Sequence, residues 1–231
     1  MKIGILRTGE ALPQIKRDHG EMDELFVKLL ADDAFTFEKF AVLDDVFPAS
    51  VTDCDAWLIT GSAFSAYEPL PWIARLEDFI RAAHKAEVPM VGICFGHQIM
   101  AQALGGTVEK HHDGWALGPH DYVFEGSAEP VTINAWHQDQ VTRLPENART
   151  VGRSSFCENA AIAYGKTGYS VQAHPEFDNS FIADLIDLRR NSVPADRVKT
   201  ALSDLKSKAP SPEVVAQIKS FLKRQNFDMG A

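Results

Sequence analysis

The first hundred residues alternate between short apolar runs and amphipathic stretches, and this alternation constrains the fold more than any other feature. Residues 2–6, 56–60 and 88–94 are compact apolar runs of the kind that form buried strands. Residues 71–87 open with a proline and repeat apolar side chains at helical spacing, and residues 96–104 form a second such stretch. Continuous apolar strands that alternate with helices are typical of a parallel sheet covered on both faces. The chain is therefore predicted to be an α/β protein.

The rest of the chain divides into two regions of different character. In residues 107–171 the apolar runs are shorter, apolar and polar residues alternate more, and turn-forming residues are more frequent. This pattern predicts an antiparallel extension of the sheet. After Pro175 the pattern is helical. Further helices are predicted at residues 21–30, 180–190, 195–205 and 212–222, and a second strand at residues 35–43. We expect one domain over residues 1–192 and a helical C-terminal extension over 193–231 that packs on the same domain.

Composition excludes several classes of function. The 231 residues are 45% hydrophobic and carry a formal net charge of −9. An acidic chain without clustered lysine and arginine is not expected to bind nucleic acid or an anionic membrane. No apolar run approaches the roughly 18 residues that span a bilayer, and the first residues do not resemble a signal peptide. Three cysteines are too few for a disulfide framework, so a cytoplasmic location is expected.

Residues 91–98 join a predicted strand to a predicted helix through the pattern Gly-x-Cys-x-Gly. This is the cysteine counterpart of the sharp turn that exposes a serine nucleophile. Such a turn crowds its neighbours, and Gly92 and Gly96 tolerate crowding. At a helix N-terminus the dipole favours a thiolate at Cys94, and the Phe95 N–H can donate to a developing oxyanion. Cys94 is thus the predicted nucleophile, whereas the other cysteines lack this context and are expected to be ordinary buried thiols.

A thiol nucleophile needs a base, and the base needs a group that orients it. The sequence His174-Pro175-Glu176 follows a predicted strand, where side chains two residues apart lie on one face. Glu176 would then bond one ring nitrogen of His174 and leave the other to face Cys94. His-x-Glu alone is a weak motif, and its weight comes from its combination with the cysteine junction.

Together, Gly-x-Cys-x-Gly-His-Gln and a His-Pro-Glu about eighty residues later resemble the class I, triad-type glutamine amidotransferases. The resemblance covers about residues 1–190 and is nearest to the glutaminase domain of GMP synthetase and to stand-alone γ-glutamyl peptidases. It implies a flavodoxin-like, three-layer fold. It also implies that Cys94 is the nucleophile, His174 the base and Glu176 the residue that orients it.

The same resemblance implies further site residues. The family's oxyanion loop, usually Ser-Gly-Gly-Pro, aligns with residues 60–63, so Gly61 is the hinge of the loop and Ser62 replaces the second glycine. Ser62 therefore places a Cβ where glycine would allow a positive φ. The backbone amides of Ser62 and Phe95 are the expected oxyanion donors. The expected substrate-binding residues are Gln98, Trp136, His137 and Asp139.

The implied activity is hydrolysis of the glutamine side-chain amide through a γ-glutamyl thioester, which releases glutamate and ammonia. No phosphate-binding loop of a synthetase is found, so either the ammonia passes to a separate synthetase subunit or the chain hydrolyses its substrate outright. One alternative is a γ-glutamyl peptidase, and another is a catalytically silent binding module. No cofactor is implied. No metal site is predicted, because His111, His112, Asp113 and His120 match no zinc spacing and are expected to form a polar loop.

Overall fold

A computed structural model describes residues 1–224 of the chain. Its main sheet has nine strands in the order β2-β1-β3-β4-β11-β10-β9-β6-β7, and β5 and β8 form a separate pair. The strands are β1 Lys2–Leu6, β2 Thr36–Phe40, β3 Ala56–Ile59, β4 Met90–Ile93, β5 Thr107–Lys110, β6 Ala116–Phe124, β7 Val131–His137, β8 Asp139–Arg143, β9 Ala148–Ser154, β10 Ala161–Tyr164 and β11 Gly168–Val171. The helices are α1 Pro13–His19, α2 Met22–Leu29, α3 Pro71–Lys85, α4 Phe95–Ala103, α5 Asn179–Arg189, α6 Ala195–Asp204 and α7 Glu213–Leu222.

The five strands from β2 to β11 are parallel, and the other four are antiparallel. Strand β11 belongs to both halves because it runs parallel to β4 and antiparallel to β10. The carboxyl ends of parallel strands meet at one edge of a sheet, which is where ligands bind in open α/β folds. The fold therefore brings the loops after β3, β4 and β11 together.

Helices cover both faces of the sheet. On one face, apolar side chains of α2 and α7 pack against β1, β3 and β4, with Phe26 and Ile218 fully buried among them. On the other face, α3 and α4 bury Leu76 and Ile99 against the same strands, together with Trp57 of β3. A third cluster joins α1, α5 and α6 with Leu117 of β6. These three layers confirm the predicted α/β, flavodoxin-like class with its antiparallel extension.

The structure differs from the sequence predictions in three places. Helix α1 was not predicted, because only Ile15 of its seven residues is buried and its pattern is largely polar. Strand β2 ends at Phe40, and residues 42–44 form a 3-10 turn instead of continuing it. Strand β11, assigned to the antiparallel region, also extends the parallel half.

The C-terminal helices pack on the rest of the chain. Helix α6 lies against β6, and α7 contributes Val214 and Phe221 to the core under the sheet. The division at residue 192 stays a prediction, and residues 225–231 of the predicted extension lie outside the described residues. Within residues 1–224, no helix is long and apolar enough to cross a membrane.

Candidate active site

The junction between β4 and α4 places Cys94 in an unusual backbone conformation. Its φ is 52° and its ψ is −102°, a combination that non-glycine residues rarely adopt. A Cβ on Gly92 would lie 2.4 Å from the Gly96 carbonyl oxygen, and a Cβ on Gly96 would lie 2.3 Å from that of Ile59. Both glycines are therefore required by close backbone approach, as the sequence predicted. The strained turn positions Cys94 directly before the first residue of α4.

His174 and Glu176 form a hydrogen-bonded pair beside Cys94. Nδ1 of His174 lies 2.7 Å from Oε1 of Glu176, and both side chains are buried. The local geometry differs from the expected strand, because β11 ends at Val171 and residues 175–176 form a turn. The His174 amide donates to the Asn134 carbonyl at 2.8 Å, and this bond holds the turn against β7. The pairing predicted from His-x-Glu is present, but a turn produces it.

The surroundings of His174 favour its protonated form. Burial by itself lowers the pKa of His174, but the interactions with Cys94 and Glu176 outweigh this effect and raise the pKa to about 10. The imidazole would therefore carry a positive charge at neutral pH. A charged imidazole beside a cysteine is the arrangement that activates a thiol nucleophile.

The loop after β3 lies against both of these residues. A Cβ on Gly61 would lie 3.0 Å from Cε1 of His174 and 3.7 Å from Cβ of Cys94, so the backbone passes close to the candidate nucleophile and base. The Gly96 amide donates to the Thr60 carbonyl at 3.1 Å and ties this loop to α4. The loop after β3 and the β4–α4 junction are thus held together by this backbone hydrogen bond.

Ser62 fits this loop without the positive φ that a glycine would permit. Its hydroxyl donates to the Thr8 carbonyl at 2.7 Å and accepts from the Phe64 amide at 3.2 Å. These two hydrogen bonds hold the Ser62 side chain between the backbone of Thr8 and that of Phe64. Phe95 supplies the first N–H of α4, a position without a partner inside the helix. The assignment of the Ser62 and Phe95 amides as oxyanion donors stays a prediction.

The four expected substrate-binding residues lie around the same cavity. The side-chain amide of Gln98 donates to the Asp139 carbonyl at 2.9 Å and to Gln172 at 3.1 Å, so this amide fixes the backbone at Asp139. The Trp136 carbonyl is 4.0 Å from Sγ of Cys94. Burial, together with the nearby His174, lowers the pKa of His137 to about 3, which keeps its ring neutral.

The cavity has a volume of about 410 Å³, within the range that holds small organic ligands. Cys94, His174 and Gly61 line this cavity together with the predicted substrate residues. Sequence reasoning missed most of the remaining wall, which comes from α1, α5 and the loops around them. These missed residues include Leu12, Ile15, Trp115, Phe177, Phe181, Leu185 and Arg189. Their apolar spacing on α5 was the available signal, but it also fits ordinary core packing.

The histidines set aside in the sequence are not among the residues that line this cavity. The side chains of His111, His112 and Asp113 offer ligand atoms within 4.8 Å of one another. Two of the three are exposed, and Nδ1 of His111 already accepts from the Asp113 amide at 3.2 Å. His120 is not part of the group. Residues 112–113 form a turn, and the absence of a metal site stays a prediction.

Known proteins match the chain, some of them over most of its length. It is 30% identical to gamma-glutamyl peptidase 4 of Arabidopsis thaliana over 227 residues, which cover 91% of this chain and 90% of the relative. It is 37% identical to one subunit of the glutamine-hydrolysing GMP synthase of Archaeoglobus fulgidus, over 46% of this chain and 61% of that protein. A glutamine amidotransferase from Thermotoga maritima superposes with a TM-score of 0.73 at 18% identity, over 97% of both chains. The family model for class-I glutamine amidotransferases matches residues 40–182, and the chain therefore belongs to that family.

Proposed function

We propose that this chain hydrolyses the side-chain amide of glutamine or of a γ-glutamyl compound through a thioester on Cys94. The observation that carries the proposal is the strained junction at Cys94, with the buried His174–Glu176 pair beside it. A nucleophile, an activating base and a carboxylate that orients the base are the three parts of a triad. The wider family membership agrees with this chemistry.

The proposed reaction has two stages. The Cys94 thiolate attacks the substrate's γ-carbonyl carbon, and the amides of Ser62 and Phe95 donate to the resulting oxyanion. His174 gives its Nε2 proton to the departing nitrogen, the carbon–nitrogen bond breaks, and ammonia or an amine leaves. Water then loses a proton to His174 as it attacks the thioester carbonyl. The carbon–sulfur bond breaks, and glutamate and the Cys94 thiolate are released.

The amino-acid end of the substrate is assigned to the loop formed by Trp136, His137 and Asp139. Its backbone and side-chain groups lie on the wall of the same cavity that Cys94 lines. Gln98 contributes by holding the Asp139 carbonyl in place. A zwitterionic end needs donors and an acceptor close together, which this loop offers.

A γ-glutamyl peptidase activity is the second candidate. The relative of this name covers nearly the whole chain, whereas the GMP synthase relative matches less than half of it. The cavity also extends well past the candidate triad along α1 and α5. If glutamine itself is the substrate, the GMP synthase relatives suggest that the partner is a separate synthetase subunit, to which the ammonia passes.

A cytoplasmic location stays a prediction.

The test is release of glutamate and ammonia from glutamine, and of glutamate from γ-glutamyl peptides, by the purified chain. We expect turnover that Cys94→Ala abolishes and that the matched variant Cys54→Ala retains, since Cys54 is buried away from the cavity lining. Iodoacetamide should label Cys94 selectively. Absence of turnover with selective labelling would indicate that a partner is needed. Absence of both would contradict the enzymatic proposal and favour a silent binding module.

A further inference from the structure

The wall of the cavity that begins at His174 is apolar and follows one face of α5. The ring of Phe177 stacks on the imidazole of His174 with centroids 4.1 Å apart, and Phe181 stacks on Phe177 at 3.9 Å. Leu185 continues the wall four residues further along the helix. Side chains four residues apart lie on one face of a helix. A continuous apolar stripe therefore leads away from the candidate base.

The stripe ends at a cation. Arg189 lies one further turn along α5, lines the same cavity and is exposed. No ion pair to its guanidinium is formed by any of residues 1–224, whereas the neighbouring Arg190 pairs with Asp187 at 2.8 Å. With a rise of about 1.5 Å per residue, the helix carries the stripe about 12 Å from Phe181 to Arg189.

The proposed reaction determines which part of a substrate would contact this apolar stripe. His174 protonates the leaving nitrogen, so the leaving group must start within hydrogen-bond distance of its ring. Phe177 covers one face of that ring and is the first residue of the apolar wall. Ammonia would use none of this surface. An amine with an alkyl chain would bury the chain against Phe181 and Leu185.

We propose that Phe177, Phe181, Leu185 and Arg189 form a leaving-group subsite for γ-glutamyl amides whose amine has an extended apolar chain with an anionic end. This inference rests on the proposed hydrolase function and adds the class of leaving group to it. Ile15 of α1, which is buried, lines the same cavity as the stripe. Arg189 provides the only charge on the α5 part of the lining.

The experiment compares kcat/KM for glutamine and three γ-glutamyl amides of methylamine, hexylamine and 6-aminohexanoate. The methylamide and hexylamide differ only in apolar length, and the last two differ chiefly in the terminal carboxylate. We expect the hexylamide to exceed the methylamide by about tenfold or more, because the chain is buried. The aminohexanoate should exceed the hexylamide by about fivefold at low salt, and this second advantage should shrink as salt rises.

Two pairs of variants on α5 locate the effect. Leu185→Gln should remove most of the hexylamide's advantage over the methylamide, whereas Leu188→Gln, on a residue that is 45% exposed, should retain it. Arg189→Gln should remove the preference for the aminohexanoate, whereas Arg190→Gln should retain it. Circular dichroism melting curves check that each variant is folded.

Two outcomes would overturn the inference, and they are distinguishable. Equal kcat/KM for all three amides, with Cys94-dependent turnover intact, would refute the subsite and leave the hydrolase proposal standing. No Cys94-dependent turnover of glutamine or of any amide would refute both.

Discussion

The two halves of the main sheet contribute to the candidate site in different ways. In the parallel half, the candidate oxyanion loop and the candidate nucleophile follow β3 and β4 directly, and glycines let the backbones approach closely. In the antiparallel half, Trp136 and His137 lie at the end of β7, and Asp139 follows them in β8, a strand of the separate β5–β8 pair. His174 comes just after β11, the strand shared by both halves. The candidate active site thus lies where the parallel and antiparallel halves of the sheet meet.

This difference separates two kinds of structural constraint. The parallel half fixes its residues through close backbone approach at one turn, both within the turn, between Gly92 and Gly96, and against the Ile59 carbonyl of β3. The antiparallel half and α5 fix theirs through contacts between residues far apart in the chain, such as the bond from His174 to Asn134. Substitutions at the tightly packed turn should therefore change the backbone geometry. Substitutions at the contacts between distant residues should change the positions of the side chains and the pH dependence of activity.

Among variants that keep Cys94, the largest effect is expected for Glu176→Gln, which removes the carboxylate that orients His174. Activity should fall about 10²–10⁴-fold, because the imidazole loses its fixed tautomer and a negative neighbour. The pKa of His174, raised to about 10 in part by Glu176, should decrease. The alkaline limb of the pH–rate profile should accordingly move to lower pH.

Glu158→Gln is the control for this variant, because Glu158 is exposed and its nearest charged partner is Arg153 at 3.7 Å. An unchanged alkaline limb in Glu176→Gln would contradict the assigned role of the carboxylate.

The next effect compares tight packing in the two halves. Gly96→Ala would place a Cβ against the Ile59 backbone, and Gly152→Ala would place one 2.8 Å from the Phe124 ring of the antiparallel half. A side chain can move more readily than a backbone carbonyl. We expect the free energy of unfolding to fall by about 3 kcal/mol for Gly96→Ala and by about 1 kcal/mol for Gly152→Ala. Urea denaturation measures both, and equal losses would show that the junction is not the tighter site.

The smallest effect concerns the backbone strain at Cys94. Cys94→Ala retains a Cβ at φ 52°, whereas Cys94→Gly removes it. We expect the glycine variant to be more stable than the alanine variant by about 1 kcal/mol, although glycine usually lowers stability. Thermal melting of the two variants checks this difference. A less stable glycine variant would show that the turn is not strained.

Much of the candidate site was readable from the sequence because its constraints are local. The spacing of Gly92, Cys94 and Gly96 reports a crowded turn that any backbone of this shape must satisfy. The proximity of His174 and Glu176 follows from two residues of separation, although a turn and not a strand produces it. Helix α1 was missed because its burial depends on a single side chain, Ile15.

The sequence by itself determined the alternation of strands and helices, the strained cysteine junction and the histidine–glutamate pair, since each depends on a few consecutive residues. The tertiary structure alone decided which side chains line the candidate active site. It turned the apolar face of α5 toward His174, and it used Gln98 to hold the Asp139 carbonyl. These contacts join residues separated by long stretches of chain, and their formation depends on packing that no local pattern encodes.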